Sequence, residues 1–209
     1  MTTTPADAKS VLHRYLRSAR EALVWKVEGL SERDARLPRT PTGTNLLGLV
    51  KHAASVEIGY FGDTFGRAWP TPEEVPWMAP WTDPSLPDDP QADHYATADE
   101  STAQVLDLYR RVWAFADETI ESLPLDAPGR VAWWGDDGAT DLHTILLHVT
   151  VDLARHAGHA DILREQVDGV VGMRAGNTNI PEDVDYPAYT AMLRGLADQF
   201  SDELADERA

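Results

Sequence analysis

Apolar residues recur at steps of three and four in four separate segments of this chain, and that spacing is typical of amphipathic helices. The first predicted helix runs from an N-cap at Thr4 to just before Gly29, because threonine caps helix starts and glycine follows helix ends. The second begins at residues 44–45 and continues to about residue 65, where Gly66 ends it. These two segments predict a pair of bundle helices.

Two further segments complete a four-helix pattern. Thr97 and Glu100 form a possible capping box, and the third predicted helix continues from there to Leu123. Thr140 is the predicted cap of a long fourth helix that ends near Asp168 and the glycine after it. Each of these helices has one apolar stripe, which must be buried against its neighbours.

The rest of the chain predicts an extension and not a second fold. A looser stretch over residues 170–185 leads to a last helix with apolar residues from Tyr189 to Leu204. No segment shows the alternation typical of strands. We therefore expect one all-α domain over residues 1–209, a four-helix bundle with its core in 1–169 and a C-terminal extension in 170–209.

A proline- and tryptophan-rich segment separates the second and third helices. Residues 68–96 contain seven of the 14 prolines together with Trp69, Trp77 and Trp81. Proline removes a backbone donor and breaks a regular helix, so no long helix is expected there. Because three tryptophans argue against disorder, we predict an ordered loop folded over the bundle.

Composition excludes several classes of function. With 18 Lys and Arg against 35 Asp and Glu, the net charge of −17 disfavours nucleic acids and anionic membranes as partners. The N-terminus lacks the features of a signal peptide, and no apolar stretch is long enough to span a membrane, so the expected location is the cytoplasm. The absence of cysteine rules out a thiolate metal site, and any thiol chemistry needs an external thiol.

Histidines are concentrated in the fourth predicted helix, where His143, His148, His156 and His159 occur within 17 residues. On a helix of 3.6 residues per turn, His156 falls inside the apolar arc and Asp152 lies at its edge, one turn earlier. The same geometry places His148 and His159 on the flank of that arc.

A carboxylate and an imidazole four residues apart can bind one metal ion, because their Cβ atoms are about 5 to 6 Å apart. His52, on the inward stripe of the second helix, is the candidate third ligand to Asp152 and His156. The alternatives are ligand sets that use His159 or His148. A purely structural interpretation also stays open, in which each histidine is a hydrogen-bonded core residue and Asp152 pairs with an arginine such as Arg155.

Two stretches carry a family resemblance. LHTILLHVTVDLARHAGHADILRE (residues 142–165) and NLLGLVKH (residues 45–52) resemble the fourth and second helices of the DinB/YfiT-like metalloenzymes. The nearest branch contains mycothiol-dependent maleylpyruvate isomerase-like proteins, and helix order and lengths agree over nearly the whole chain. The resemblance implies a DinB-like four-helix bundle with a divalent metal in an open site between its second and fourth helices.

The same resemblance implies which residues bind the metal. Its ligand positions fall on His52, Asp152 and His156, although the usual acid there is glutamate, whose side chain is one methylene longer than that of Asp152. By this resemblance His159 does not bind the metal but contacts a metal-binding residue or the substrate. Two histidines and one carboxylate suit zinc or nickel first, and also iron or manganese.

An open metal site suggests chemistry on an external thiol, since a thiol bound to a divalent cation loses its proton near neutral pH. We expect a metal-dependent enzyme that uses a mycothiol-like thiol for S-transfer to, or isomerisation of, a small electrophile. The alternatives are a non-catalytic metal-binding or stress-response bundle, and a structural homodimer joined through its last helix. The sequence assigns no catalytic acid or base.

Side chains near the predicted site are candidates for contacts with thiol or electrophile. The loop offers four of them, Trp77, Trp81, Asp93 and His94. The fourth helix adds His148, Arg155 and Arg164. The two arginines could attract a carboxylate, although rim ion pairs with Asp161 and Glu165 are the simpler expectation.

Overall fold

The computed structural model describes residues 7–82, 85–87 and 89–200, and its architecture is all-α. The helices, in chain order, are α1 (Ala8–Trp25), α2 (Glu32–Arg36), α3 (Leu46–Phe61), α4 (Ala79–Thr82), α5 (Thr102–Ser122), α6 (Leu142–Asp168) and α7 (Tyr186–Ala197). The four long helices α1, α3, α5 and α6 form the bundle: α1 packs against α6, and α3 packs against both α5 and α6.

The bundle buries the apolar stripes that the sequence predicts. Side chains from all four long helices meet in one core and are inaccessible to solvent, among them Leu16, Leu23, Val50, Phe61, Val112, Ile120, Ile145 and Leu153. Burial of such stripes is the main stabilising contribution to a bundle of this size. The predicted four-helix bundle is confirmed.

The ends of the first two bundle helices differ in part from the prediction. Thr4 lies outside the described residues, and within them α1 begins at Ala8, where the Asp7 carboxylate accepts a hydrogen bond from a backbone N–H of the first turn. Asn45 caps α3 as predicted. The predicted end of α3 was wrong, because the helix stops at Phe61 and Gly66 instead ends a separate 3₁₀ turn over Asp63–Phe65.

The capping box of α5 lies four residues later than predicted. Ser101 and Gln104 exchange side-chain and backbone hydrogen bonds at the helix start. The Glu100 carboxylate does accept from the Thr97 backbone N–H at 2.7 Å, but this bond closes a turn before the helix. The prediction of a cap at Thr97 was therefore wrong.

A short hairpin precedes α6 and explains a second wrong cap. Strands β1 (Pro128–Arg130) and β2 (Ala139–Asp141) pair antiparallel, and Thr140 lies inside β2. Asp141 caps α6 by accepting from the Thr144 backbone N–H at 2.8 Å. Three-residue strands are too short to produce a recognisable alternation, so the sequence did not indicate them. The helix ends at Asp168 and Gly169 is its C-cap, as predicted.

Over its described residues (68–82, 85–87 and 89–96), the proline- and tryptophan-rich segment is an ordered connection, as predicted, and contains only short helical pieces. Two 3₁₀ turns, Pro72–Glu74 and Pro76–Met78, each begin with a proline, and the single-turn helix α4 follows them. Trp69, Val75 and Met78 are buried in the bundle core. The segment is thereby fixed to the bundle at several points.

A buried polar network joins three of the bundle helices. Arg20 of α1 donates to both carboxylate oxygens of Glu57 on α3 at 3.0 Å and to Asp117 of α5 at 2.6 Å. The Tyr109 hydroxyl donates to Glu57, and His13 pairs with Asp117. Burial alone would lower the pKa of Arg20, but the two carboxylates outweigh it and raise that pKa.

Arg164 does not form the predicted rim pairs with Asp161 and Glu165. It is buried, donates to the Asp168 carboxylate at 3.0 Å and reaches the backbone oxygen of Lys26 at 3.1 Å. Asp161 instead pairs with the buried Lys26 ammonium at 2.8 Å. These contacts fasten the C-terminal part of α6 to the end of α1.

The chain divides into two compact units, residues 1–178 and residues 179–209. The second unit contains α7, which is capped by Asp185 and ends at Ala197, so the prediction that the last helix includes Phe200 was wrong. Leu204 lies outside the described residues. The predicted single domain with its boundary at residue 169 stays a prediction. None of the described helices combines the length and apolar character that crossing a bilayer requires.

Candidate metal centre

α3 and α6 pack against each other and bring His52, Asp152 and His156 together. Each of the three offers a ligand atom that lies within 4.8 Å of the other two. The His52 and His156 rings are 5.0 Å apart between centroids, and His156 Nε2 is 3.6 Å from Asp152 Oδ1. The three residues proposed from helical spacing therefore occupy one place in the bundle.

Two polar atoms of this cluster fit a bound cation. Asp152 Oδ2 and His156 Nδ1 are buried and have no hydrogen-bond partner within the described part of the chain. Leaving such atoms unpaired costs about 1 to 3 kcal/mol each. An imidazole and a carboxylate are ligands for zinc and for related divalent cations, so a metal would satisfy this pair.

The imidazoles of this cluster favour the ionised form of the Asp152 carboxyl group. Burial alone would raise the pKa of Asp152, but the nearby imidazoles, first that of His156, hold this pKa below its ordinary value. The carboxylate is thus present as an anion at neutral pH, which is the form that binds a cation.

A second group of residues reaches His52 from the loop. The Asp93 carboxylate lies 2.7 Å from His52 Nδ1, and the His94 ring stacks on His52 at 4.3 Å between centroids. His52, Asp93 and His94 also place one ligand atom each within 4.8 Å, so they form an alternative ligand set. The sequence names Asp93 and His94 only as loop contacts, and no local spacing signals a pairing across 41 residues.

The pKa values of the two loop residues shift downward. Burial would raise the pKa of Asp93, but the hydrogen bond with His52 and the charge of that imidazole outweigh burial and lower it. Burial lowers the pKa of His94, and the neighbouring His52 lowers it further. The loop therefore presents an ionised acid and a neutral imidazole at pH 7.

The other candidates on α6 lie beside the cluster. His159 is exposed, with its ring 5.6 Å from that of His156. His148 is exposed one turn before Asp152, and its Nε2 lies 3.1 Å from the Tyr60 hydroxyl. Arg155 is exposed.

The two candidate tryptophans pack elsewhere. The Trp77 indole N–H donates to Ser55 Oγ at 2.9 Å, and the buried Lys51 ammonium lies 3.8 Å from the ring centroid. Trp81 packs near Trp133, with ring centroids 6.2 Å apart. Neither tryptophan lines the pocket beside His156.

That pocket has a volume of about 420 Å³, within the usual range for small-molecule sites. Besides histidines, its walls are neutral: they consist of Thr42, Gly43, Thr44, Asn45, Leu49, Gln91, His94, Tyr95, His156 and His159. No lysine or arginine is among these lining residues. The pocket therefore suits an uncharged polar ligand that approaches the candidate metal.

Comparison with known proteins identifies the family. The profile of a family described as mycothiol-S-transferase matches residues 11–169. The chain belongs to the mycothiol-S-transferase family. The match includes α3, α5, α6, most of α1 and all three residues of the candidate metal centre. It confirms the resemblance that the second and fourth helices indicate.

A solved structure supports the fold independently. The crystal structure of a conserved protein of a locus from Enterococcus faecalis superimposes with a TM-score of 0.60 at 15% sequence identity. The alignment covers 79% of this mycothiol-S-transferase family chain and 99% of that chain. At this identity the likeness establishes the fold alone. No curated protein matches the chain.

Proposed function

We propose that this protein is a metal-dependent thiol transferase that holds a divalent cation with His52, Asp152 and His156. The cation would activate a low-molecular-weight thiol of the mycothiol type toward a small electrophile. The observation that carries the proposal is the buried, unpaired couple of Asp152 Oδ2 and His156 Nδ1 beside His52. The family supports a mycothiol-related activity in general terms.

The ligand set favours particular metals. Two imidazoles and one carboxylate suit zinc or nickel, and iron or manganese also accept such donors. When bound, the cation lowers the pKa of a coordinated thiol and so supplies a thiolate near neutral pH. Three protein ligands leave a position for that thiol.

The chain's own residues hold and shape the site. Asp152 and His156 are fixed four residues apart on α6, and α3 supplies His52 from the opposite wall. Because the pocket beside His156 has polar, neutral walls, it would bind an uncharged polar thiol by hydrogen bonds. A cysteine-free chain supplies no thiol of its own, so the reacting thiol belongs to the cofactor.

The reaction class follows from this assignment. The S–H bond of the thiol breaks, its proton passes to solvent, and the sulfur forms a new bond to the electrophilic carbon. Release of a leaving group from that carbon completes an S-transfer, and return of the thiol after rearrangement completes an isomerisation. The proposal keeps the cytoplasm as the expected location.

A non-catalytic metal-binding role is the second candidate. A site closed by four protein ligands would favour it, whereas three ligands next to a pocket of about 420 Å³ favour catalysis. The pocket is the reason why we place the enzyme first.

Thiol consumption tests the proposal. Zinc-loaded protein should deplete mycothiol in the presence of an alkylating electrophile faster than the uncatalysed reaction, and a chelator should abolish the difference. Asp152→Asn should lose this activity. His143→Ala, which removes an exposed histidine elsewhere on α6, should keep it. Equal rates with and without metal would contradict the proposal.

A further inference from the structure

Loop residues 93–95 are held against α3 by one side chain each. The Asp93 carboxylate lies 2.7 Å from His52 Nδ1, and the amide of Asn45 donates to the His94 carbonyl at 3.1 Å. The ammonium of Lys51 donates to the Tyr95 carbonyl at 3.0 Å. Asp93 and Lys51 are buried, with 7% and 2% of their surface exposed. The Asp93 carboxylate is therefore delivered to His52 by a fixed stretch of backbone.

The His94 carbonyl approaches Gly48 closely, and this contact fixes the distance between residues 93–95 and α3. A Cβ atom at Gly48 would lie 1.9 Å from the His94 carbonyl oxygen, so a side chain at this position would displace the loop. Because Gly48 lies on the helix one turn before His52, displacement would move Asp93 away from the imidazole. The sequence of α3 thus permits the contact between Asp93 and His52.

The contact decides which nitrogen of His52 can bind a metal. An ionised carboxylate only accepts hydrogen bonds, so the Nδ1–H group of His52 donates to Asp93. In a neutral imidazole the lone pair then resides on Nε2. Carboxylates that receive the other ring N–H of a metal-binding histidine orient the ring and increase its basicity.

We propose that Asp93 is the positioning residue of the metal centre, which holds the His52 proton on Nδ1 and so leaves Nε2 to join Asp152 and His156. This inference rests on the metal site of the proposed function. Under this inference the loop set of His52, Asp93 and His94 is not the set that binds the metal. Asp93 already has a hydrogen-bond partner, whereas the buried unpaired atoms belong to Asp152 and His156.

Zinc affinity tests the inference without an activity assay. Competition with a chromogenic chelator should show Asp93→Ala binding zinc about 10 to 100-fold more weakly than the unaltered chain, with unchanged stoichiometry. Asp93→Asn should lose less, because its amide oxygen can still accept from Nδ1–H. Glu73→Ala is the matched control, an exposed acid of the same proline-rich segment, and its affinity should not change.

Two results would overturn the inference. Unchanged zinc affinity in Asp93→Ala would show that the carboxylate does not position His52. Complete loss of zinc in Asp93→Ala, together with full binding in His156→Ala, would show that Asp93 is itself a ligand. Metal binding with the expected pattern but without thiol transfer would leave the inference intact and remove only the proposed activity.

Nitrogen-15 NMR of the metal-free protein gives an independent measurement. The His52 signals, assigned by their loss in His52→Gln, should report a protonated Nδ1 and an unprotonated Nε2. In Asp93→Ala the two tautomers should mix. A His52 proton on Nε2 in the unaltered protein would contradict the inference even if zinc failed to bind.

Discussion

The bundle core contains a pair of charged side chains, which need partners because they are removed from solvent. Arg20 and Glu57 are almost completely excluded from solvent and satisfy one another through three hydrogen bonds. Removing one partner of such a pair is strongly destabilising, because the remaining buried charge keeps its desolvation penalty and loses the attraction that offset it. Replacing both partners with apolar residues is much less harmful than replacing one.

Arg20→Met should therefore lower the free energy of unfolding by about 3 to 5 kcal/mol, since Glu57 would remain buried without its cation. The double variant Arg20→Met with Glu57→Met should recover much of this loss. Urea unfolding followed by circular dichroism measures both values. A double variant less stable than the single one would contradict the interpretation.

Helical spacing predicted the candidate ligands on α3 and α6 but not the loop residues that contact them. Asp152 and His156 lie four residues apart on one helix, and His52 shares an inward stripe, so the three could be proposed from the sequence. The partnership of Asp93 with His52 could not, because it depends on how a loop with seven prolines folds back onto α3. The hydrogen bond from the Trp77 indole to Ser55 Oγ could not be predicted either, because no local spacing in the sequence indicates it.

At the scale of elements, periodicity located the bundle helices, and caps were harder to place. Thr97 with Glu100 and Ser101 with Gln104 both satisfy the capping-box pattern, and the chain uses the second. The Glu100 carboxylate accepts from the Thr97 backbone N–H and also pairs with the buried Lys51 ammonium, so this acid fixes the turn before α5 to α3. The hairpin before α6 was missed since its strands have three residues each.

Ser101→Ala should lower the free energy of unfolding by about 1 kcal/mol, because it removes the acceptor for the Gln104 backbone N–H. Thr97→Ala is the matched control and should have a smaller effect, because it leaves the cap of α5 in place. Chemical denaturation of the two variants under one condition compares them. A larger effect at Thr97 would show that the helix begins earlier than described.

For the whole molecule, stability should depend on pH through its paired acids. The pKa values of Asp93, Asp152 and Glu100 lie below their ordinary values in the folded protein. The unfolded chain then binds more protons at acidic pH, so this stabilisation is complete above the unfolded pKa values and is lost as pH falls through the folded ones. Burial raises the pKa of Glu57 and works in the opposite direction at that one residue.

We therefore expect the free energy of unfolding to decrease as the pH is lowered from about 5 to below 4, the range of ordinary carboxyl pKa values. Urea titrations of metal-free protein at several pH values measure this trend. Asp93→Asn should flatten it, because the variant lacks one of the titrating acids. Stability that rises toward pH 3 would contradict the assignment of these acids as ionised partners.

The central claim is that α3 and α6 hold one divalent cation between them, and metal content tests it most directly. Untagged protein, loaded with zinc and desalted, should retain close to one equivalent per chain by elemental analysis, and His143→Ala should do the same. Asp152→Asn and His156→Ala should each lose the metal. Less than about a tenth of an equivalent in the unaltered protein, or full retention in both ligand variants, would contradict the account.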